Sequence, residues 1–390
     1  MHTDGALAGF DCSSCGTTVA PDDIETTCPE CGDPVTPAFD PDALEAVFEG
    51  KTDHATGLER FAPVLGFDSG SVVSLGAGGN TVIDAPSLAH GIGVDDFQIA
   101  DEGRNPTGSA VDRELAVAVS VAVERDADQV VLPSTGNAAR SAAAYAGRAD
   151  LESLAYVPSR TPFVEKAMTN VHGGDLSVVE GRYADAVAAY DAEGTDGFPI
   201  GPDSPFRQLG AATLAWDLFG RSADSPDAVV LPVGHGTRLA GFFAGLTALD
   251  AAGRLDSVPR LYAAQPAGCA PIVTAHENDG GIEAWETPDS VIGPLEIPDP
   301  AVGSLALDAL DVSDGGTVVV GDDDALAAAV DANASTGVEV SATGGVALAG
   351  AQKLAERDAL ESVTSVLVVD PLAAAAESDL LRSQLMSRGI

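Results

Sequence analysis

Asp101-Glu-Gly-Arg-Asn-Pro-Thr-Gly-Ser-Ala-Val-Asp-Arg113 leads into the apolar run 115–123, and Ser134-Thr-Gly-Asn137 follows it. Each stretch is a turn rich in Gly, Asn, Pro or Ser placed directly before a helical pattern, which sets the rhythm of the chain. The first predicts a helix over 112–126, whose valine-rich interior implies burial between layers. Gln129-Val-Val-Leu-Pro133 predicts a short buried strand, and 137–147 an alanine-rich helix. Working outward, strands are expected at 154–157 and 176–180, with helices at 162–170 and 183–190. A short helix at 42–48 leads into a linker, and a second series has helices at 205–219, 237–252, 325–332 and 344–357, and strands at 228–233, 260–264, 317–321 and 364–369. Strands alternating with helices predict parallel sheets covered on both faces, an α/β fold. Residues 278–303, rich in Gly, Pro and Asp, read as a loop or mobile segment.

At 390 residues the chain exceeds one small core, so two packed domains and a short appendage are expected. Hydrophobic residues make up 45%, which fits a globular protein, and no solenoid repeat is evident. Sixty acidic against nineteen basic residues give a net charge of −41, and only Lys51, Lys166 and Lys353 are lysines. Self-repulsion on that scale is screened over about 3 Å in 1 M salt, so the balance reads as that of a halophilic cytoplasmic protein. It excludes nucleic acid and anionic membranes as partners, because both require clustered Lys or Arg. The first seven residues have no basic-then-apolar signal, and the run 115–123 is far short of the roughly 20 residues of a membrane span.

Four of the five cysteines form Cys12-x-x-Cys15-Gly and Cys28-x-x-Cys31-Gly. Each knuckle lets two thiolates reach one ion while glycine takes the tight turn, and two knuckles complete a closed, structural zinc site. A pair of redox dithiols, or a ribbon that has lost its metal, is the competing reading. Cys269 lies in an apolar loop with no base nearby in sequence and reads as a core residue.

Pro232-Val-Gly-His-Gly-Thr-Arg-Leu-Ala-Gly241 places glycines at alternate positions between a buried strand and a helix. Freed amides at a helix N-terminus make a nest for a dianionic phosphate, although a tight turn that holds nothing would have the same pattern. Ser134-Thr-Gly-Asn137 has a similar double reading, since Asn137 would serve as the N-cap of its helix.

Taken in order, these segments resemble the threonine synthases, pyridoxal-phosphate (PLP) enzymes of fold type II, from about residue 10 to residue 370. The first stretch is similar to the family's D-E-G-x-N-P-T-G-S-F-K-D-R, Ser134–Asn137 to its S-T-G-N, and the glycine turn to its P-V-G-x-G. Residues 71–83 resemble its V-S-L-G-E-G-x-T-P-L, and 261–272 its L-Y-G-V-Q-A-x-G-A-A-P-I. Many archaeal members carry a similar N-terminal ribbon. The resemblance implies two doubly wound α/β domains of the tryptophan synthase β-like kind behind a small zinc ribbon. Its divisions would be a ribbon at 1–38, a helix and linker at 39–70, the large PLP domain at 71–106 and 193–390, and the small α/β domain at 107–192. It also implies PLP held at Gly234, His235, Gly236, Thr237 and Asn137, a substrate carboxylate at Ser134 and Thr135, structural Zn²⁺ at Cys12, Cys15, Cys28 and Cys31, and a homodimer.

The chain departs from the family where the chemistry lies. Val111 stands at the lysine that forms the Schiff base, and Ala110 at the preceding phenylalanine. Ala342 stands at the serine or threonine that meets the pyridine nitrogen, flanked by Ser341 and Thr343, and Val368-Val-Asp-Pro-Leu replaces a glycine-rich turn. Lys166 and Lys353 fall within helices and read as solvated charges. Three functions stay open. The first is a threonine synthase-like protein whose conversion of O-phosphohomoserine to threonine is lost or altered and which binds PLP or a phosphorylated amino acid without a covalent link. The second is an active synthase or related eliminase using another amine, and the third a non-catalytic binding or regulatory paralogue.

Overall fold

A computed structural model of the chain describes residues 5–49, 57–68, 70–193, 196–220, 225–361 and 363–389, and structural statements below concern these. Lys51 and the first four residues lie outside them. The chain divides into two compact units that interleave in sequence, each described by itself. One comprises the described residues within Met1–Gly79, Val111–Asp224 and Thr237–Ser257, the other those within Asn80–Ala110, Ser225–Gly236 and Val258–Ile390.

The second unit is built on a six-stranded sheet. Its strands run in the order Gly316–Val320, Arg260–Pro266, Ala228–Pro232, Ser365–Asp370, Asp96–Asp101, Val82–Asp84, all parallel but the last. The sequence Ala-Val-Val-Leu-Pro of the third strand is buried at every position, as a parallel strand covered on both faces must be. Helix Ala342–Glu356, buried along most of its length, packs its small residues against this sheet, so that Gly350 approaches Ala264 and Val318.

The first unit holds a four-stranded parallel sheet in the order Asp175–Val179, Glu152–Pro158, Gln129–Pro133, Phe198–Pro199. Its N-terminal part is a three-stranded antiparallel sheet, with Leu7–Asp11 between Thr18–Val19 and Thr36–Phe39. Between these elements lie three long helices, Val111–Glu124, Pro205–Phe219 and Thr237–Ala251. They meet through glycines. A Cβ built on Gly210 would strike the Arg113 carbonyl, one on Gly241 would lie 2.7 Å from Ala211 Cβ, and one on Gly245 2.6 Å from the Ala212 carbonyl. Backbones this close gain dispersion contacts that any side chain would prevent.

The parallel α/β expectation holds in both units. No helix among the described residues is long and apolar enough to cross a membrane.

A methyl group at Gly241 meets the backbone of Gln208 as well as Ala211, so Gly241→Ala should cost about 1–3 kcal/mol by overpacking and lower Tm measurably. Gly281, with nothing within 4 Å, is the control, and Gly281→Ala should leave the thermal transition where it was.

Candidate functional site

Strand Ala228–Pro232 delivers the glycine turn at its C-terminal end. Gln265 holds the turn's base, donating to the Val233 carbonyl (3.1 Å) and accepting from the amides of Ile272 (2.9 Å) and Val273 (3.1 Å). A Cβ on Gly234 would press on Ile297 Cγ1 at 3.1 Å, while glycine is required at 236, where φ is +88° and a Cβ would lie 2.9 Å from the Val302 carbonyl. His235 is tied to the same segment, its carbonyl accepting from Val302 N–H (3.1 Å) and its Nδ1 from Ala301 N–H (3.3 Å). The N–H groups of Gly234 and Gly236 make no hydrogen bond to the described residues. The chain then enters helix Thr237–Ala251, where Thr237 Oγ1 donates to the Pro202 carbonyl (2.7 Å). Free amides running into a helix start are the donor set a phosphate takes.

The loop Ser134–Asn137 belongs to the other unit. Ser134 Oγ accepts from the amides of Gly136 (3.0 Å) and Ala139 (2.9 Å), so the capping role expected of Asn137 falls to Ser134, and Asn137 is the first residue of helix Asn137–Arg148. Asn137 Oδ1 accepts from Thr135 Oγ1 at 3.4 Å. Behind the loop, Thr161 Oγ1 donates to the Thr135 carbonyl (3.1 Å), and the buried Glu165 lies 3.7 Å from Arg140. Burial raises the Glu165 pKa against the pull of Arg140.

Val111 is the first residue of its helix and 5% exposed. The three residues after it are charged and buried: Asp112 accepts from Ser141 Oγ (2.5 Å), Arg113 pairs with Asp217 (2.5 Å), and Glu114 accepts from Arg207 (2.5 Å) and Arg238 (2.8 Å). Their density in an otherwise apolar helix was visible in the sequence, and nothing there named their partners. Both described lysines are half-exposed, and each engages one partner. Lys166 Nζ donates to the Ser159 carbonyl (2.8 Å), and Lys353 pairs with Asp324 (2.8 Å). A phosphate held by backbone amides thus fits the residues present, whereas a covalent link at position 111 does not fit.

The two hydroxyls beside Ala342 are committed. Ser341 Oγ caps helix Ala342–Glu356 by accepting from Gly344 N–H (2.8 Å) and donates to Asp370 Oδ1 (2.5 Å), while Thr343 Oγ1 donates to Glu377 (2.7 Å). Asp370 is fully buried opposite Asp101 on the neighbouring strand. Loss of hydration pushes its pKa up to about 7, with Asp101 adding to the rise against the hydrogen bonds from Ser341.

In the ribbon the four sulfurs all lie within 4.8 Å of one another, with Cys12 and Cys31 at 3.5 Å and Cys15 and Cys28 at 3.6 Å. Tetrahedral zinc with bonds near 2.3 Å sets its sulfurs about 3.8 Å apart, so the cluster fits this ion. Zinc there would cross-link the knuckles and leave no position for substrate.

One zinc per chain is the expected result of elemental analysis, with Cys12→Ser or Cys28→Ser reducing it and lowering Tm. For Asp370, a raised acid pKa means that the native state binds more protons than the unfolded chain between about pH 4 and 7, so stability falls as pH rises through that window. Asp370→Asn removes this loss, and its Tm relative to the parent should climb from pH 4 to pH 7; a constant difference would show that Asp370 ionises normally.

A family described as pyridoxal-phosphate dependent enzyme matches residues 73–371. The chain is 27% identical to the threonine synthase of Methanosarcina acetivorans over 350 residues, 88% of this chain and 86% of that one. With the threonine synthase of Mycobacterium leprae it shares 30% over 291 residues, 73% and 78% of the two chains. Among solved structures, maize serine racemase superposes with a TM-score of 0.68 over 80% of this chain and 93% of its own at 17% identity, and a threonine deaminase of Solanum lycopersicum with 0.66 over 80% and 83% at 20%. Those two likenesses establish a shared fold. The chain therefore belongs to the pyridoxal-phosphate dependent enzyme family, among its threonine synthase-like members.

Proposed function

We propose that this protein binds PLP, or a phosphorylated amino acid, through the glycine turn without a covalent link, and that the family reaction, O-phosphohomoserine to threonine and phosphate, is lost or altered in it. The observation that carries the reading is the pairing of unsatisfied amides at Gly234 and Gly236 with a buried valine at position 111. The turn follows a central strand of the six-stranded sheet. From that strand the chain steps outward through Arg260–Pro266 to Gly316–Val320, while Ser365–Asp370 and Asp96–Asp101 lie on its other side. The carboxyl end of a strand where the order reverses is where open α/β sheets take their ligands.

Bound PLP supplies an electron sink for the α-carbon of an amino acid. The residues present would grip its phosphate through the amides of Gly234, His235, Gly236 and Thr237, and the resemblance assigns Asn137 to its ring and Ser134 and Thr135 to a substrate carboxylate. An alkyl side chain at position 111 offers neither an imine nor a base. The engagement of Lys166 and Lys353 with Ser159 and Asp324 supports this reading over an active enzyme with a substitute amine.

After incubation with PLP and borohydride reduction, denaturing mass spectrometry should find the protein unmodified, and the Val111→Lys variant should gain one PLP mass on the peptide that spans position 111. A reduced adduct on the parent protein would overturn the proposal, as would release of phosphate from O-phosphohomoserine at a rate that Val111→Lys does not raise.

A further inference from the structure

Glu114, Arg207 and Arg238 occupy the first turns of the three glycine-packed helices: the fourth residue of Val111–Glu124, the third of Pro205–Phe219 and the second of Thr237–Ala251. Arginines are unfavourable at helix N-termini, where the dipole is positive, unless an anion offsets them. Glu114 provides that anion. Its side chain is 2% exposed, its Oε2 accepts from Arg207 Nε (3.0 Å) and Nη2 (2.5 Å), and its Oε1 accepts from Arg238 Nη2 (2.8 Å). The carboxylate is satisfied on both oxygens.

Glycine contacts set how closely the helices approach, and a directional charge-assisted bond adds a constraint on rotation and slide. Arg238 follows Thr237 immediately, and Thr237 is itself held by the Pro202 carbonyl. We propose that Glu114 is a positioning residue: through Arg238 it fixes the first turn of helix Thr237–Ala251, and so the presentation of the amides that continue the glycine turn. Its ligand consequence rests on the phosphate reading above, while its mechanical content does not.

Glu114→Gln strands two arginines and risks the fold. Arg238→Met is the gentler variant, since Arg238 is 19% exposed on its side chain and the Arg207 pair survives. Hydrogen exchange of peptides covering 241–246, the first amides of the helix with an intrahelical acceptor, and equilibrium binding of PLP and of pyridoxal, which lacks the phosphate, are read on the full chain at one salt concentration. Arg238→Met should speed exchange at 241–246 and weaken PLP by about fivefold each, leave pyridoxal unchanged, and keep exchange at 129–148 as in the parent. Arg238→Lys should restore most of both. Unchanged exchange at 241–246 overturns the proposal, and if PLP binding falls without it, Arg238 touches the ligand itself. Faster exchange in a protein whose parent binds PLP no better than pyridoxal upholds the positioning role and defeats the phosphate reading instead.

Discussion

The first turn after Val111 is the constraint on which the rest of this molecule depends. Asp112, Arg113 and Glu114 are each at most 2% exposed, and they bind in succession to Ser141, to Asp217, and to Arg207 with Arg238. Three adjacent ionisable side chains in a dry environment are tolerated only because each has a partner of good geometry, and removing any one partner would leave a buried charge uncompensated. Arg60 shares Asp217 with Arg113, and Gly79 N–H donates to the same carboxylate (2.8 Å), so the network also ties down the segment before residue 80. The backbone carrying Val111 is therefore fixed from several sides at once.

That frame also explains why so much acidity coexists with a packed interior. Of the few cationic side chains in the chain, Arg60, Arg113, Arg207 and Arg238 serve buried or half-buried carboxylates. Other carboxylates are held by neutral donors, as Asp227 is by the amides and hydroxyls of Thr364 and Ser365, which draw its pKa down despite the cost of burial. Asp370 follows the same pattern but is too deeply buried for hydrogen bonds to hold it ionised in the ordinary range.

Much of the fold was legible from the sequence. The strand Gln129–Pro133 and the helix Pro205–Phe219 begin and end where the pattern of residues places them, because an unbroken apolar run and a serine–proline start leave little choice. Other elements escaped. Helices Pro86–Ile92 and Pro271–Glu277 open on prolines that punctuate a sequence like loop breakers, although proline suits the first helical position. Strand Asp96–Asp101 has acids at both ends and acquires its identity from pairing with Ser365–Asp370. The cysteine knuckles and the glycine turn were legible because their chemistry is local. The partners of Glu114, Arg113 and Asp370 were not, since they lie from 29 to more than 100 residues away and depend on tertiary packing.

The proposed grip on a phosphorylated pyridine uses backbone amides and no covalent bond. Mass spectrometry of the unmodified protein with PLP, recorded first under native and then under denaturing conditions, tests it most directly. One PLP per chain in the native spectrum, gone on denaturation, is the predicted result; no native complex, or a mass increment that survives unfolding, would contradict it.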